Sequence, residues 1–470
     1  MTRGHLVVHG HFYQPSRVDP FSGTIPRDPS AEPSHDWTAR VASECYRPNA
    51  EIGNLGHISW DLGPTLAGWL ERHEPTAHRG FTEGDAGRNG LAQPFHHTIL
   101  PLAAAHDRLT EIRWGLRDFE LRFGRRAVGM WLPETAVDTP TLQLLAEAGV
   151  EHTILAPWQV RAGHVDTRRP YRVELAAGRH LVVGLYDGAL SGSLSFDPAE
   201  TADADRFARE RLLPRFLTDP LPDDERPLVL LATDGELYGH HLPYRELFLR
   251  RLVQPQPIGS EHGFEVSTLA EVLHEPPDRP FRTVQVAERT SWSCHHGVLR
   301  WSGECPCTEG SSWKAPLRAA LDRLAAGIDT ATEHVARTLP TGLEVDPWAA
   351  RDDYVDVVVG AETPAAFAER WIGAGDPSAQ DTLLSIMETQ RHRLQMFASD
   401  AWYWDDPTRP ETKAVLRAAA WSARRMDGLA GSGLEARLLA DLALVRSPHH
   451  HVDGREIYRQ ALIDVGQRLS

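Results

Sequence analysis

The sequence predicts an α/β protein, with a parallel-strand domain of βα units over residues 1–285 and a mainly helical domain over 286–470. Three observations predict it. Up to about residue 285, short apolar β-type runs alternate with stretches of helical periodicity. Beyond Trp313 the alternation gives way to helical spacing alone. Finally, three of the apolar runs end in acids or imidazoles, and the C-terminal ends of parallel strands are where ligands and chemistry collect.

Seven runs are strand candidates: Leu6 to His9, Ile52 to Trp60, Val128 to Trp131, Thr153 to Leu155, Val182 to Tyr186, Leu228 to Thr233 and Phe264 to Ser267. Between the second and third, Leu102, Leu109, Ile112, Leu116 and Phe119 fall at helical spacing within Pro101 to Phe123. After Trp131 a helix is marked by Asp138-Thr139 as its cap, Pro140 in its first turn and Gly149 at its close. The turn holding Glu134 is therefore short and fixed at both ends. Helical periodicity then covers 314–337, 363–373, 380–398, 411–428 and 433–446. The Pro/Gly-rich pieces Asp19 to Pro33 and Pro255 to Gly263 are loop-sized, and no internal repeat interrupts the order.

A formal charge of −16 over 470 residues argues against nucleic acid and anionic membrane as partners. Lysine occurs only at 314 and 413, which leaves Schiff-base or carboxylated-lysine chemistry little to work with. No window approaches the roughly 18–20 apolar residues that a membrane span needs. Four cysteines are too few for a disulfide scaffold, and the expected compartment is the cytoplasm.

Glu134, in Trp131-Leu132-Pro133-Glu134, and Asp234, in Thr233-Asp234-Gly235-Glu236, place two carboxyls at the ends of different strands. Glycosidic cleavage needs such a pair, one to attack or stabilise the anomeric carbon and one to protonate the leaving oxygen. Each acid equally fits a helix cap or an arginine partner. His9, His11, Gln14, His97 and His240 supply groups that could hold sugar hydroxyls or tune the acids. His9-Gly10-His11 also suits a binuclear metal hydrolase of the amidohydrolase type, which would further want a bridging lysine or glutamate and additional histidines at middle strands. Neither lysine falls in the first domain. Cys294-His295-His296 with Cys305-Pro306-Cys307 reads either as a structural zinc site or as reduced thiols in a packed loop. Trp131, Trp158, Trp292, Trp301, Trp402 and Trp404 are candidate sugar platforms, each with core packing as its alternative.

With these residues assembled, the chain resembles glycoside hydrolase family 57, in the branch that carries a DUF3536-type C-terminal domain. His9-Gly10-His11-Phe12-Tyr13-Gln14-Pro15 is similar to the family's opening motif, with Phe12 and Tyr13 as a two-residue insertion. Ala92-Gln93-Pro94-Phe95-His96-His97 is similar to the second motif, Met130 to Ala136 to the third, and Thr233 to His240 to the fourth. The resemblance implies an incomplete (β/α)7 barrel followed by a helical domain. It also implies retaining action on α-glucans or related α-glycosides, by hydrolysis or transfer, with neither metal nor organic cofactor.

On that resemblance Glu134 is the nucleophile and Asp234 the acid/base. From the residues themselves, His9, His11, Gln14, His97, Trp131, Glu236, His240, Trp301, Trp402 and Trp404 are expected to serve the substrate, and Glu236, two residues past Asp234, is expected to orient Asp234 or His240. The partner is an α-linked oligo- or polysaccharide. The helical domain is expected to complete the cleft. A catalytically silent glucan-binding protein is the alternative from another class, and the metal-dependent hydrolase is the third reading.

Overall fold

The computed structural model describes residues 4–218, 221, 225–254, 264–274, 281–339 and 345–467, so the Pro255 to Gly263 loop lies outside the described residues. The first strand, β1 (Gly4–Phe12), organises the sheet. Along one edge it pairs in parallel with Leu228–Asp234, from His5↔Leu228 to His11↔Asp234. Along the other, its C-terminal part pairs with β2 (Ser59–Leu62) and its start with Phe264–Val266. β2 continues in parallel into the two-residue β3 (Gly90–Leu91).

Past β3 the segment Gly129–Trp131 takes the next place through isolated parallel bridges, Ala92↔Met130 and Gly129↔His152. Parallel pairing resumes from β4 (His152–Leu155) to β5 (His180–Leu185). From there to β6 (Leu228–Asp234) the structure gives a backbone bond, Asp187 N–H to Leu230 carbonyl at 2.8 Å, and the Ala232 N–H bonded to Ser191 Oγ at 3.1 Å. Seven successive staves thus run β1, β2, β3, 129–131, β4, β5, β6, with no ladder among the described residues between the last two and with β6 paired back to β1. This is the incomplete barrel that the resemblance implies.

The staves differ in detail from the strand candidates. Ile52 to Trp60 is mostly not extended. A helix ends at Glu51, Gly53 turns the chain at φ 75°, a 3-10 turn covers Asn54–Gly56, and the strand begins only at Ser59. Gly90–Leu91 was not a candidate, being too short to show alternation. Val128 to Trp131 bridges without forming a ladder.

Side-chain alternation builds the floor and the site from the same strands. Val7, Leu228, Leu230 and Ala232 point into a buried core with Leu91, Trp131 and Ile154. The same face continues upward as His9 and His11 on β1 and as Asp234 on β6.

Two compact units divide the chain: 1–14, 27–94 and 119–292 form one, and 15–26, 95–118 and 293–470 the other. The first therefore extends past residue 285 to Trp292, and the second takes in two segments from the N-terminal third. In the second unit, α1 (Ala105–Phe123, through residue 118) lies with α2 (Lys314–Ala336), α3 (Pro377–Gln395) and α4 (Pro410–Ala430). Its buried Asp107 takes hydrogen bonds from Arg351 (2.9 Å) and Arg393, and the Trp114 indole donates to the Arg351 carbonyl at 3.0 Å. Among the described residues no helix is long and apolar enough to cross a membrane.

Candidate functional site

Glu134 sits in a 3-10 turn in the left-handed region, at φ 58° and ψ 21°, followed by Thr135 at φ 46°. Neither is glycine, so the turn stores strain that its surroundings must hold. Thr135 Oγ1 donates to Gln159 Oε1 at 2.8 Å, and Gln159 Nε2 returns a bond to the Thr135 carbonyl at 2.7 Å. Trp292 holds Glu134 itself. Its backbone N–H donates to the Glu134 carbonyl at 3.1 Å and its indole Nε1 to Glu134 Oε2 at 3.2 Å. The carboxylate remains half-buried. Beyond the turn the helix Thr139–Glu147 starts on the expected cap, with the Asp138 side chain accepting from the Thr141 N–H.

His9 Nε2 and His11 Nδ1 each lie 2.8 Å from one oxygen of buried Asp61, and Gln93 Nε2 also donates to that carboxylate. Both imidazoles stack on Trp131 at 5.0 Å. Burial works against charge on His11, but Asp61, helped by Asp234 and Glu236, outweighs it and raises the imidazole to about 9. Burial dominates at His9 and pushes it down. Burial also opposes charge on Asp61, yet His11 and His9 hold it below the usual carboxylate range. The arrangement is a buried His11 imidazolium and Asp61 carboxylate beside a neutral His9.

Asp234 is exposed at the end of β6, in register with His11. Glu236 turns inward. The Tyr46 hydroxyl donates to its Oε1 at 2.5 Å, and burial first, then the Asp234 charge, raises the carboxyl to about 7. Gly235 between them is required sterically, because a Cβ there would lie 2.3 Å from the Phe12 ring. The inserted Phe12 is thus a buried wedge, and Tyr13 stacks on His11 at 6.3 Å.

A single π-helical turn, Ala42–Tyr46, supplies partners to this stretch. Tyr46 holds Glu236, the Cys45 thiol donates to the Gly235 carbonyl at 3.4 Å, and Glu44 Oε2 lies 2.5 Å from His240 Nδ1. Gly239, at φ 146°, permits the approach, since a Cβ there would sit 2.3 Å from the Glu44 carbonyl oxygen. The side chain of Gln14 reaches the Tyr46 hydroxyl. His240 is paired with Glu44 rather than oriented by the Glu236 carboxyl, as the sequence reading had allowed.

Glu134, Asp234, His9, His11, Gln14, Trp131, Glu236 and His240 all belong to the first compact unit, and His97, Trp301, Trp402 and Trp404 to the second. Three expected platforms need correction. Trp131, Trp301 and Trp402 are fully buried, so their faces are taken by protein, as when Trp131 serves as the floor under the histidines. Trp404 is 39% exposed, with Arg409 over its ring. His97, at φ 56°, has its Nδ1 2.7 Å from Ser399 Oγ.

Asp61 is the residue the sequence reading missed. Its signal resembled that of Glu134: an apolar run ending in an acid just before Gly63-Pro64 and a helix. Tyr46 and Glu44 carried no such signal.

Residues 90–286 match the family model described as glycosyl hydrolase family 57, and residues 310–467 match a domain of unknown function, DUF3536. An alpha-amylase from Pyrococcus horikoshii is 23% identical over 283 residues, covering 55% of this chain and 41% of the relative's length. Among solved structures, an exo-type maltose-forming amylase from Pyrococcus sp. ST04 superposes with a TM-score of 0.77 at 14% identity, over 98% of this chain and 88% of the other. A branching enzyme of the same glycoside hydrolase family from Pyrococcus horikoshii gives 0.58 at 15% identity, over 98% and 94%.

Proposed function

We propose that this chain, which carries a glycoside hydrolase family 57 region followed by a DUF3536 region, cleaves or transfers α-glucosidic linkages with retention. The observation that carries the reading is the treatment of Glu134. A half-buried carboxylate is kept in left-handed backbone and tethered by its carbonyl and its carboxylate to one residue, and strain of this kind clusters where side-chain placement matters for chemistry.

In this reading a Glu134 oxygen attacks the anomeric carbon as the glycosidic C–O bond breaks. Asp234 gives its proton to the departing oxygen, and a glycosyl ester remains on Glu134. Asp234, now a carboxylate, then takes a proton from water or from a sugar hydroxyl as that oxygen bonds the anomeric carbon and the ester bond to Glu134 breaks, giving hydrolysis or transfer and restoring both carboxyls. Retention requires the two carboxyls about 5–5.5 Å apart during the reaction. His11 and His240 would meet sugar hydroxyls, and the His11 imidazolium offers N–H donors where a neutral ring would offer one. Glu236, protonated up to about pH 7, lies outside the bond-making and limits negative charge beside Asp234.

The test is incubation of the full chain with maltooligosaccharides and other α-linked glucans, resolving products by size and linkage, together with trapping by a 5-fluoro glycosyl fluoride. An adduct on Glu134 and products of shorter or redistributed chains are expected. An adduct on Glu236 overturns the assignment. Binding of glucan without turnover or trapping favours the silent binding protein.

A further inference from the structure

Three of the chain's four cysteines fall within fourteen residues of one another in the second compact unit, at Cys294, Cys305 and Cys307. None is in a disulfide. Folding brings them together with His296, so that the three Sγ atoms and His296 Nδ1 all lie within 4.8 Å of one another. Cys294 Sγ is 3.4 Å from Cys305 Sγ, and His296 Nδ1 is 3.2 Å from Cys307 Sγ, 3.7 Å from Cys305 Sγ and 4.0 Å from Cys294 Sγ. We propose that Cys294, His296, Cys305 and Cys307 form a tetrahedral site for Zn2+.

The geometry suits that ion. Zn–S bonds of about 2.3 Å and Zn–N bonds of about 2.0–2.1 Å at tetrahedral angles put ligand sulfurs about 3.8 Å apart and sulfur about 3.6 Å from nitrogen. The three sulfur–nitrogen distances bracket the second value, and the Cys294–Cys305 sulfur separation of 3.4 Å is slightly shorter than the first. Three thiolates and one imidazole form a closed structural donor set that leaves no position for a water, and soft sulfur ligands in tetrahedral arrangement select zinc over hard cations.

The surrounding backbone is shaped to present these ligands. Both ligand pairs have the form ligand-x-ligand, and each is closed by a turn: Gly297 N–H to the Cys294 carbonyl at 3.0 Å, with Gly297 at φ 64°, and Thr308 N–H to the Cys305 carbonyl at 3.0 Å. Ser311 Oγ accepts from the Cys305 N–H at 2.9 Å and donates to the Cys305 carbonyl at 3.0 Å, orienting that ligand from behind.

Charge points the same way. Lys314 is fully buried, and its Nζ has no hydrogen-bond partner among the described residues. Burial first and then the Arg300 charge work against its ammonium, and Cys305, Cys294 and Asp405 are the groups that favour it. Metal-held thiolates give a net negative centre that compensates a buried ammonium, as neutral thiols cannot. The stretch from Thr290 to Trp313 is poor in aliphatic residues, and the ion would cross-link a loop that burial alone secures weakly. Cys294 and Cys305 are buried, whereas His296 and Cys307 are exposed, so a chelator has access from one side.

The site is independent of the glucan reading and is tested separately. The full chain, purified in reductant without chelator, is expected to carry about one zinc per molecule by elemental analysis. Metal-free chain titrated with Co2+ should develop thiolate-to-cobalt charge-transfer bands and the intense visible bands of tetrahedral cobalt, saturating at one equivalent. Cys307→Ser and His296→Ala, at the exposed ligands, should lower zinc retention at least tenfold and reduce the thermal midpoint. Zinc-free protein whose Co2+ titration yields no charge-transfer band overturns the proposal, as does undiminished zinc in a Cys305→Ser, Cys307→Ser double variant. Should those variants fail to fold, the wild-type cobalt titration decides alone.

Discussion

Trp292 holds Glu134 at both ends, by its backbone N–H to the Glu134 carbonyl (3.1 Å) and by its indole N–H to the carboxylate (3.2 Å). Its ring packs edge-on against Trp131 at 4.9 Å, the floor on which His9 and His11 rest. Trp292→Phe should keep the packing and lose the bond to the carboxylate. Turnover is expected to fall about tenfold or more, with the folded state little changed, as kcat and circular dichroism would show.

Glu134 itself is held at a backbone angle that favours glycine. Glu134→Gly should remove activity and trapping, yet leave stability equal to wild type or about 0.5–1 kcal/mol higher, since relief of the φ strain offsets the loss of the part-buried bond from the Trp292 indole. Glu134→Gln should remove activity without that gain. Urea midpoints for the pair check this, and a large loss of stability in Glu134→Gly would contradict the strain argument.

Gly235→Ala drives a methyl into the Phe12 ring at 2.3 Å. The expected cost is about 1–3 kcal/mol, with reduced activity because Asp234 and Glu236 flank the displaced residue. Adding Phe12→Leu should recover part of the loss, and a double-mutant cycle should give a coupling well above about 0.5 kcal/mol.

The His11–Asp61 pair predicts a stability profile on the alkaline side. His11 is raised to about 9 in the folded state, against about 6.5 unfolded. It binds its proton more tightly when folded, so its stabilisation is fully present below about pH 6.5 and is lost as pH rises through about 9. Unfolding free energy should decline over that window by about 1–3 kcal/mol, and His11→Asn should flatten the slope. Glu236, raised to about 7, acts at lower pH in the same sense: its contribution is complete below about 4.5 and gone above 7. Tyr46→Phe removes a bond that favours the charged form, so the Glu236 step should move to higher pH.

Truncation after residue 285 or 292 should give an insoluble chain. Asp107 and Trp114 lie in the second compact unit and depend on Arg351 and Arg393. Loss of 293–470 would leave Asp107 without these partners and the Trp114 face bare. Light scattering and dye binding on the truncated product test this.

Much was legible in residue order because the signals are local. The cap at Asp138 and the long helices of 314–336, 377–395 and 410–430 announce themselves in side-chain periodicity, propensity and turn chemistry, which act over a few residues. Glu134 and Asp234 were legible for the same reason, since a strand ending in an acid is a short pattern. Only the tertiary structure decided which groups those acids meet. Asp61 becomes the keystone of His9 and His11 because three-dimensional register sets it opposite His11. Tyr46 reaches Glu236 across 190 positions of chain. Gly90–Leu91 becomes a stave by pairing, though two residues cannot show alternation, and Trp131 becomes a floor because its ring is enclosed on all sides. Burial, pairing and charge shifts are sums over neighbours distant in the chain, and no local pattern contains them.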